Sequence, residues 1–487
     1  MNDPIIHTLK INLPGGIVAS GDLHYILNAA ENAGVEHIGF GNRQQLFFKI
    51  ADEQLEQLEH EFSVADIDYE LNTDQYPNII SSYVVEDIFE SANWLREGVY
   101  KDILDLFDFK PILKINLTDN NQTFIPFFTG NLNFIASETS NYWHLYIRFP
   151  KTGTIFNWPS LVYSEDIPGI SKIMQACIFA NMELFYDQTS INTKLFEEKV
   201  AARGRFAVQL PNQPLKLPDF QLPYYEGFNR YGNNYWLGIY RRDELFPVGF
   251  LKDLCVVCQK TRIGQIYTTP WKSVIIKSIK KEDRSLWSYI LDSYRINIRH
   301  AANEMNWQIE DMSDYGLRLK YYLVQEFEKV DLRTYRLCFA IKTQPKTGLF
   351  GSIVIKPQQI EQTEECFEIL HTRDFNPNSK DYISFKKDLK KADLGSELIN
   401  LCNTYYKLQC ELSVNPSFLA DTDHEEIEEE IHTVHQCRNC FTFYDPEYGD
   451  EQQNIEPGTD FEHTGDYRCS VCDAPKEEFI LIESMQN

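Results

Sequence analysis

Several kinds of signal are missing from this sequence of 487 residues. Met1 to Gly16 has none of the basic, apolar and small-residue regions of a secretion signal, and no apolar run approaches the roughly 20 residues a membrane-spanning helix needs. No Walker loop, Gly-rich phosphate fingerprint or nucleophile elbow stands in a strand-turn-helix context, and Gly15-Gly16 lacks the further glycines such a loop requires. Histidine is scarce, and His24, His37 and His60 fit helix or strand surfaces better than a ligand set. Positive charge is also short. With 46 Lys and Arg against 72 Asp and Glu the net charge is −26, which argues against nucleic acid and membrane surfaces, because both attract cations. These absences lead to the expectation of a cytoplasmic protein whose partners are basic proteins.

What is present is enough apolar material for several cores: 43% of residues are hydrophobic and 14% aromatic, so three or four folded domains are expected at this length. Two stretches superimpose without a gap at a shift of 228 residues, counted from Gly21 and Gly249. Leu9 falls on Leu237, Ile11 on Ile239, Leu23 on Leu251, Ile38 on Ile266, Phe48 on Ile276 and Lys49 on Lys277. Each copy reads strand, helix, strand, strand, helix; the first places strands near 7–13, 35–40 and 45–50 and helices near 23–32 and 52–62. That is a ferredoxin-like split βαβ pattern within an α+β fold. The expected divisions are a first half domain over 1–75, an α+β unit over 76–200, a second half domain over 201–330, a further α+β unit over 331–415, an acidic linker over 416–432, and a small domain over 433–485.

Eleven cysteines in a chain without a secretion signal are better explained by metal binding or burial than by a disulfide framework. Cys437 with Cys440 and Cys469 with Cys472 form two Cys-x-x-Cys pairs, separated by 28 residues rich in turn chemistry. Two tight knuckles of this kind complete a tetrahedron of thiolates, a set that selects iron or zinc without separating them. Cys255 and Cys258 repeat the spacing but align with Leu27 and Ala30 of the first copy, on the apolar face of a helix, where buried cysteine is ordinary packing. Cys177 and Cys366 read the same way.

The segments 443–450, 455–461 and 476–479, with the aromatic set Tyr444, Phe461, Tyr467 and Phe479, resemble the rubredoxin family over its full length. The resemblance implies one iron held by Cys437, Cys440, Cys469 and Cys472, used to carry single electrons. Three positions depart from the family pattern: Phe441 and Asp473 follow the second and fourth cysteines, where glycine is usual, and Ser470 follows the third, where proline is usual. Glycine there relieves a positive φ, which Asp tolerates better than most residues, so strain is expected at Phe441. From Val434 to Glu483, 12 acids face three bases, a charge of −9, which implies a redox partner with a basic docking surface.

Leu13-Pro14-Gly15-Gly16 and Gly41-Asn42-Arg43-Gln44-Gln45-Leu46 are similar to the ferredoxin-like half domain of the sirohaem nitrite and sulfite reductases. That family is itself duplicated, and the resemblance covers residues 5–415. It implies a role for Arg43 in holding the carboxylates of a tetrapyrrole; a surface arginine at a strand end explains the residue equally. The second copy has Trp271 at that place. No [4Fe-4S] cluster is expected, because the family needs two cysteine pairs in its second half. Here Lys342 stands where a partner for Cys338 belongs, and Cys402 and Cys410 have the wrong spacing. The leading expectation is an electron carrier with its iron domain tethered to a reductase-like body. The alternatives are a sirohaem oxidoreductase acting on nitrite or sulfite and fed by its own rubredoxin domain, and a non-redox interaction protein clipped by zinc.

Overall fold

The computed structural model describes residues 5–89, 94–344, 348–359, 365–413 and 432–484. The acidic linker expected at 416–432 lies, apart from its last residue, outside them. The 228-residue shift holds for whole elements. Strand Ile6–Ile11, helix Ser20–Asn32, and strands His37–Phe40 and Leu46–Ala51 recur as Asn234–Ile239, Val248–Lys260, Gln265–Thr268 and Val274–Ile279. The helices form because apolar side chains return every three or four residues: Leu23, Ile26, Leu27 and Ala30 are buried in one, and Leu251, Leu254, Cys255 and Cys258 in the other. Both stripes belong to one core built from the two copies together.

The copies are also interlocked. Ile17–Ala19 leaves the first copy to pair antiparallel with Gln265–Thr268, and its equivalent Leu245–Pro247 pairs with His37–Phe40. Each half domain therefore completes the sheet of the other.

Two further sheets share a single topology. In the first, Ile80–Ser81, Ile115–Thr118 and Leu132–Ala136 run parallel, and Tyr142–Arg148 and Ile155–Asn157 follow antiparallel. In the second, Trp307–Ile309, Phe339–Ile341 and Ile353–Gln359 run parallel, followed antiparallel by Glu365–Thr372 and Tyr382–Lys390. Parallel strands need covered faces. Helix Ile167–Phe179 contributes Ile170, Met174 and Cys177 to the core of the first, and helices Asp314–Glu328 and Lys391–Ser413 contribute Leu323, Phe327, Leu398 and Cys402 to that of the second. No helix among the described residues is long and apolar enough to cross a membrane.

The C-terminal domain is a three-stranded antiparallel sheet in the order Phe443–Tyr444, His432–Cys437, Phe479–Ser484. Its core is small: Tyr444, Phe461, Tyr467 and Phe479, with the first three rings 5.1–5.3 Å apart. The buried Tyr hydroxyls are satisfied, Tyr444 donating to the Thr459 carbonyl at 2.6 Å and Tyr467 to Asp450 at 2.8 Å.

Candidate metal centre

Each cysteine pair sits on a tight turn, and the two turns repeat one hydrogen-bond pattern. The Cys437 amide donates to the Thr442 carbonyl and the Phe441 amide to the Cys437 carbonyl, at 2.9 and 2.8 Å. In the second turn Cys469 donates to Ala474 and Asp473 to Cys469 at the same two distances. Phe441 and Asp473 occupy equivalent positions with φ of +62° and +61°. Phe441 thus adopts the left-handed geometry without distorting its knuckle, and the strain stays local because the residue is 65% exposed. A left-handed residue with a side chain costs about 1–2 kcal/mol. Replacing Phe441 by glycine is therefore expected to stabilise the iron-bound domain by about 1 kcal/mol, read as slower loss of colour in denaturant.

The turns bring four sulfurs together. All four lie within 4.8 Å of one another, with Cys437 and Cys472 at 3.5 Å and Cys440 and Cys469 at 3.3 Å. Sulfurs about 2.3 Å from a shared ion in a tetrahedron would be about 3.8 Å apart, so the set fits one metal with little adjustment. Cys437, Cys440 and Cys469 are buried and Cys472 is partly exposed, which makes it the edge through which the ion meets its surroundings. Amides of Val471 and Cys472 point at the Cys469 sulfur, that of Ala474 at Cys472 and that of Thr442 at Cys440. Such donors stabilise thiolates and tune the potential of the ion they hold.

Without a cation the cluster is electrostatically costly. Burial pushes the Cys469 thiol up to about 11 and raises that of Cys472 as well. Burial opposes ionisation of Cys440 too, but hydrogen bonds from the Thr442 hydroxyl, 3.2 Å from its sulfur, the Thr442 amide and the Cys469 and Cys472 thiols together outweigh it and bring the thiol down to about 7. Metal uptake must therefore displace protons from part of the set.

The other cysteines, Cys410 apart, are buried as packing residues, Cys177 and Cys366 among them. Cys255 and Cys258 are fully buried, and burial pushes the Cys255 thiol up to about 12 and raises Cys258 further. Cys338 and Cys402 are also buried, each pushed up to about 12, while Cys410 is exposed.

Arg43 is 8% exposed at the tip of its hairpin, and its donors are engaged. Nε and Nη2 donate to the Asn78 carbonyl at 3.0 and 2.7 Å, Nη2 to Ile115 O at 2.9 Å, and Nη1 to Asn116 Oδ1 at 3.2 Å. Gln44 continues the stitching, donating to Ser81 O at 3.2 Å and, in the second copy, to Thr268 O at 2.9 Å. The cavity beside Arg43 is about 130 Å³ and is lined by charges of both signs, Arg43 and Lys114 with Asp74, Glu310 and Asp311. Alone it is too small for a tetrapyrrole, but it shares Lys114, Gly348 and Leu349 with a larger cavity beside it.

A second cavity of about 420 Å³ lies between the two α+β units. Lys114, Arg148 and Lys151 line it from the first unit and Lys342, Lys356 and Lys380 from the second, with no acidic residue among the lining. Burial lowers the Lys380 ammonium to about 7, and neighbouring Arg148 lowers it in the same direction. These residues are scattered over more than 260 positions, and nothing in the sequence groups them.

The comparisons agree with both parts of this architecture. The rubredoxin family model matches residues 434–479. "Probable rubredoxin HupI" of Bradyrhizobium diazoefficiens is 46% identical over 50 residues, 10% of this chain and 72% of that protein. "Probable rubredoxin HupJ" of Rhodobacter capsulatus is 45% identical over 49 residues but is matched over only 18% of its length. "Rubredoxin-2" of Chlorobaculum tepidum is 46% identical over 48 residues and is matched over 92%. Among solved structures, that of Mycobacterium tuberculosis NirA protein covers 82% of this chain and 81% of its own, with a TM-score of 0.61 at 13% identity, a likeness of fold. The four-thiolate geometry and the relatives that carry it converge: through its C-terminal domain, an iron-binding electron-transfer module, this chain belongs to the rubredoxin family.

Proposed function

We propose that this chain is a cytoplasmic single-electron carrier in which a rubredoxin-type iron site is tethered to a NirA-like body that serves as its docking scaffold. The observation that carries the reading is the pair of matching knuckles, which converge four cysteine sulfurs within 4.8 Å, enough to fill a tetrahedral ion's coordination. An iron so enclosed changes oxidation state without gaining or losing a ligand, which suits electron transfer and not bond chemistry. The acidic surface around it, −9 between Val434 and Glu483, favours a basic redox partner.

The visible spectrum of natively expressed protein, with metal analysis, tests this. A red protein with one iron that bleaches on chemical reduction is expected. A colourless protein with stoichiometric zinc would replace the reading with that of a structural clip.

A second reading, an oxidoreductase related to the nitrite and sulfite reductases, is favoured by one observation. The cavity lined by Lys114, Arg148, Lys151, Lys342, Lys356 and Lys380 collects cations in a strongly acidic protein, as a site for a small anion would. Tetrapyrrole absorption bands in the purified protein would promote this reading over the first.

A further inference from the structure

The rubredoxin domain rests on the body through the knuckle that carries Cys472. Arg284 Nη1 donates to the Cys472 carbonyl at 3.2 Å, and the Lys281 ammonium pairs with the Asp473 carboxylate. Both cations open one segment of the second half domain: Lys281 lies in the short 3₁₀ turn Lys281–Asp283 and Arg284 begins the helix Arg284–Ser293. Arg284 is fixed from behind, its guanidinium lying 4.7 and 5.2 Å from the ring centres of Tyr235 and Phe228.

Three observations single this contact out. Asp473 occupies a position where glycine would relieve the backbone, since φ is +61° there, yet it presents a carboxylate whose side chain is only 10% exposed and is shared between Lys281 and, at 3.9 Å, Arg468 of its own domain. Lys281 and Arg284 stand at the start of a helix, where the dipole disfavours cations; Glu282 and Asp283 between them offset part of that, and an anion arriving from another domain adds to the offset. Cys472, the neighbour of Asp473, is the one ligand of the four that is not buried. The contact thus falls on the least buried ligand of the metal site.

Resting on the iron-carrier reading, we infer that the body carries the docking site for its own rubredoxin domain, with Lys281 and Arg284 gripping the Cys472–Asp473 knuckle. The basic surface that the acidic iron domain needs on this face is supplied in the same chain, and exchange with a second protein is left to the Cys437–Cys440 knuckle. One ion pair and one charge-assisted hydrogen bond form a weak contact, but docking within one chain needs no more. The docked state is therefore reversible and salt-sensitive.

Zero-length carbodiimide coupling of the full-length, iron-loaded protein, followed by peptide mass spectrometry, reads the contact directly. A Lys281–Asp473 amide is expected at low ionic strength, with several-fold less at high salt. In an R284E chain, which keeps the Lys281 amine, the coupling is expected to fall several-fold, and in a K281E/R284E chain the midpoint potential is expected to fall, because cations beside a thiolate-bound iron favour its more negative reduced state. The single K281E variant changes a side chain that is 62% exposed, so it guards against a folding defect at Arg284. It should lower the midpoint potential in the same direction. Absence of the cross-link in the wild-type protein, or a potential unmoved by both variants, overturns the docking inference while the iron and colour stay in place. Loss of iron from the wild-type protein would instead strike the carrier reading.

Discussion

Replacing Cys440 by serine is expected to remove iron and colour together and to unfold residues 433–484, while the body keeps its structure. The small domain has one compact aromatic core, and a module of about fifty residues rarely gains more than about 3–5 kcal/mol from a core of its own. Binding of a structural metal by four thiolates supplies about 10–16 kcal/mol in comparable small sites. Losing one ligand therefore removes most of what holds the domain. Cys440 is the informative choice, because hydrogen bonds from Thr442 and from the Cys469 and Cys472 thiols make its thiol the most readily ionised of the three whose shifts are resolved. Iron content, the visible band and circular dichroism check the outcome. Retention of iron at wild-type stoichiometry would refute the ligand assignment.

The second large effect is expected in the body. Phe246 is fully buried, belongs by sequence to the second half domain, and sits in the three-residue strand that pairs with His37–Phe40 of the first. Its ring meets Phe40 edge-on at 5.2 Å. Phe246→Ala should cost about 3–5 kcal/mol, the range for truncating a buried phenylalanine. The distribution of that loss is the sharper test. Because the copies exchange strands and share one core, hydrogen exchange should accelerate in helix Ser20–Asn32 as much as in helix Val248–Lys260. Protection lost in the second copy alone would mean that the copies unfold separately. The iron band should not change, since the mutation lies outside the metal domain.

The clustering of the four cysteines was legible in the sequence, because two Cys-x-x-Cys turns are local devices whose geometry follows from a few backbone angles. The same locality explains why the strain expected at Phe441 produced no distortion: a left-handed residue on an exposed turn affects little beyond itself. The duplication was legible for a different reason. A 228-residue shift that preserves apolar periodicity preserves the buried faces, and the elements from Ile6–Ile11 to Leu46–Ala51 recur at that spacing. Arg43 shows where such reading stops. The sequence placed it at a strand end, but whether its guanidinium faces a ligand or the carbonyls of Asn78 and Ile115 depends on a segment more than thirty residues away.

By itself, then, the sequence determined the four thiolates, the repeated half domain and the acidic character of the iron module, since each is written in spacing, periodicity or composition. Only the tertiary structure decided that the half domains trade strands, that six cations from two units line one cavity, and that Lys281 and Arg284 meet the knuckle of Cys472 and Asp473. These are meetings of residues far apart in the chain. Nothing local encodes them, because they are fixed by how separately formed sheets and helices bury their remaining apolar faces against one another.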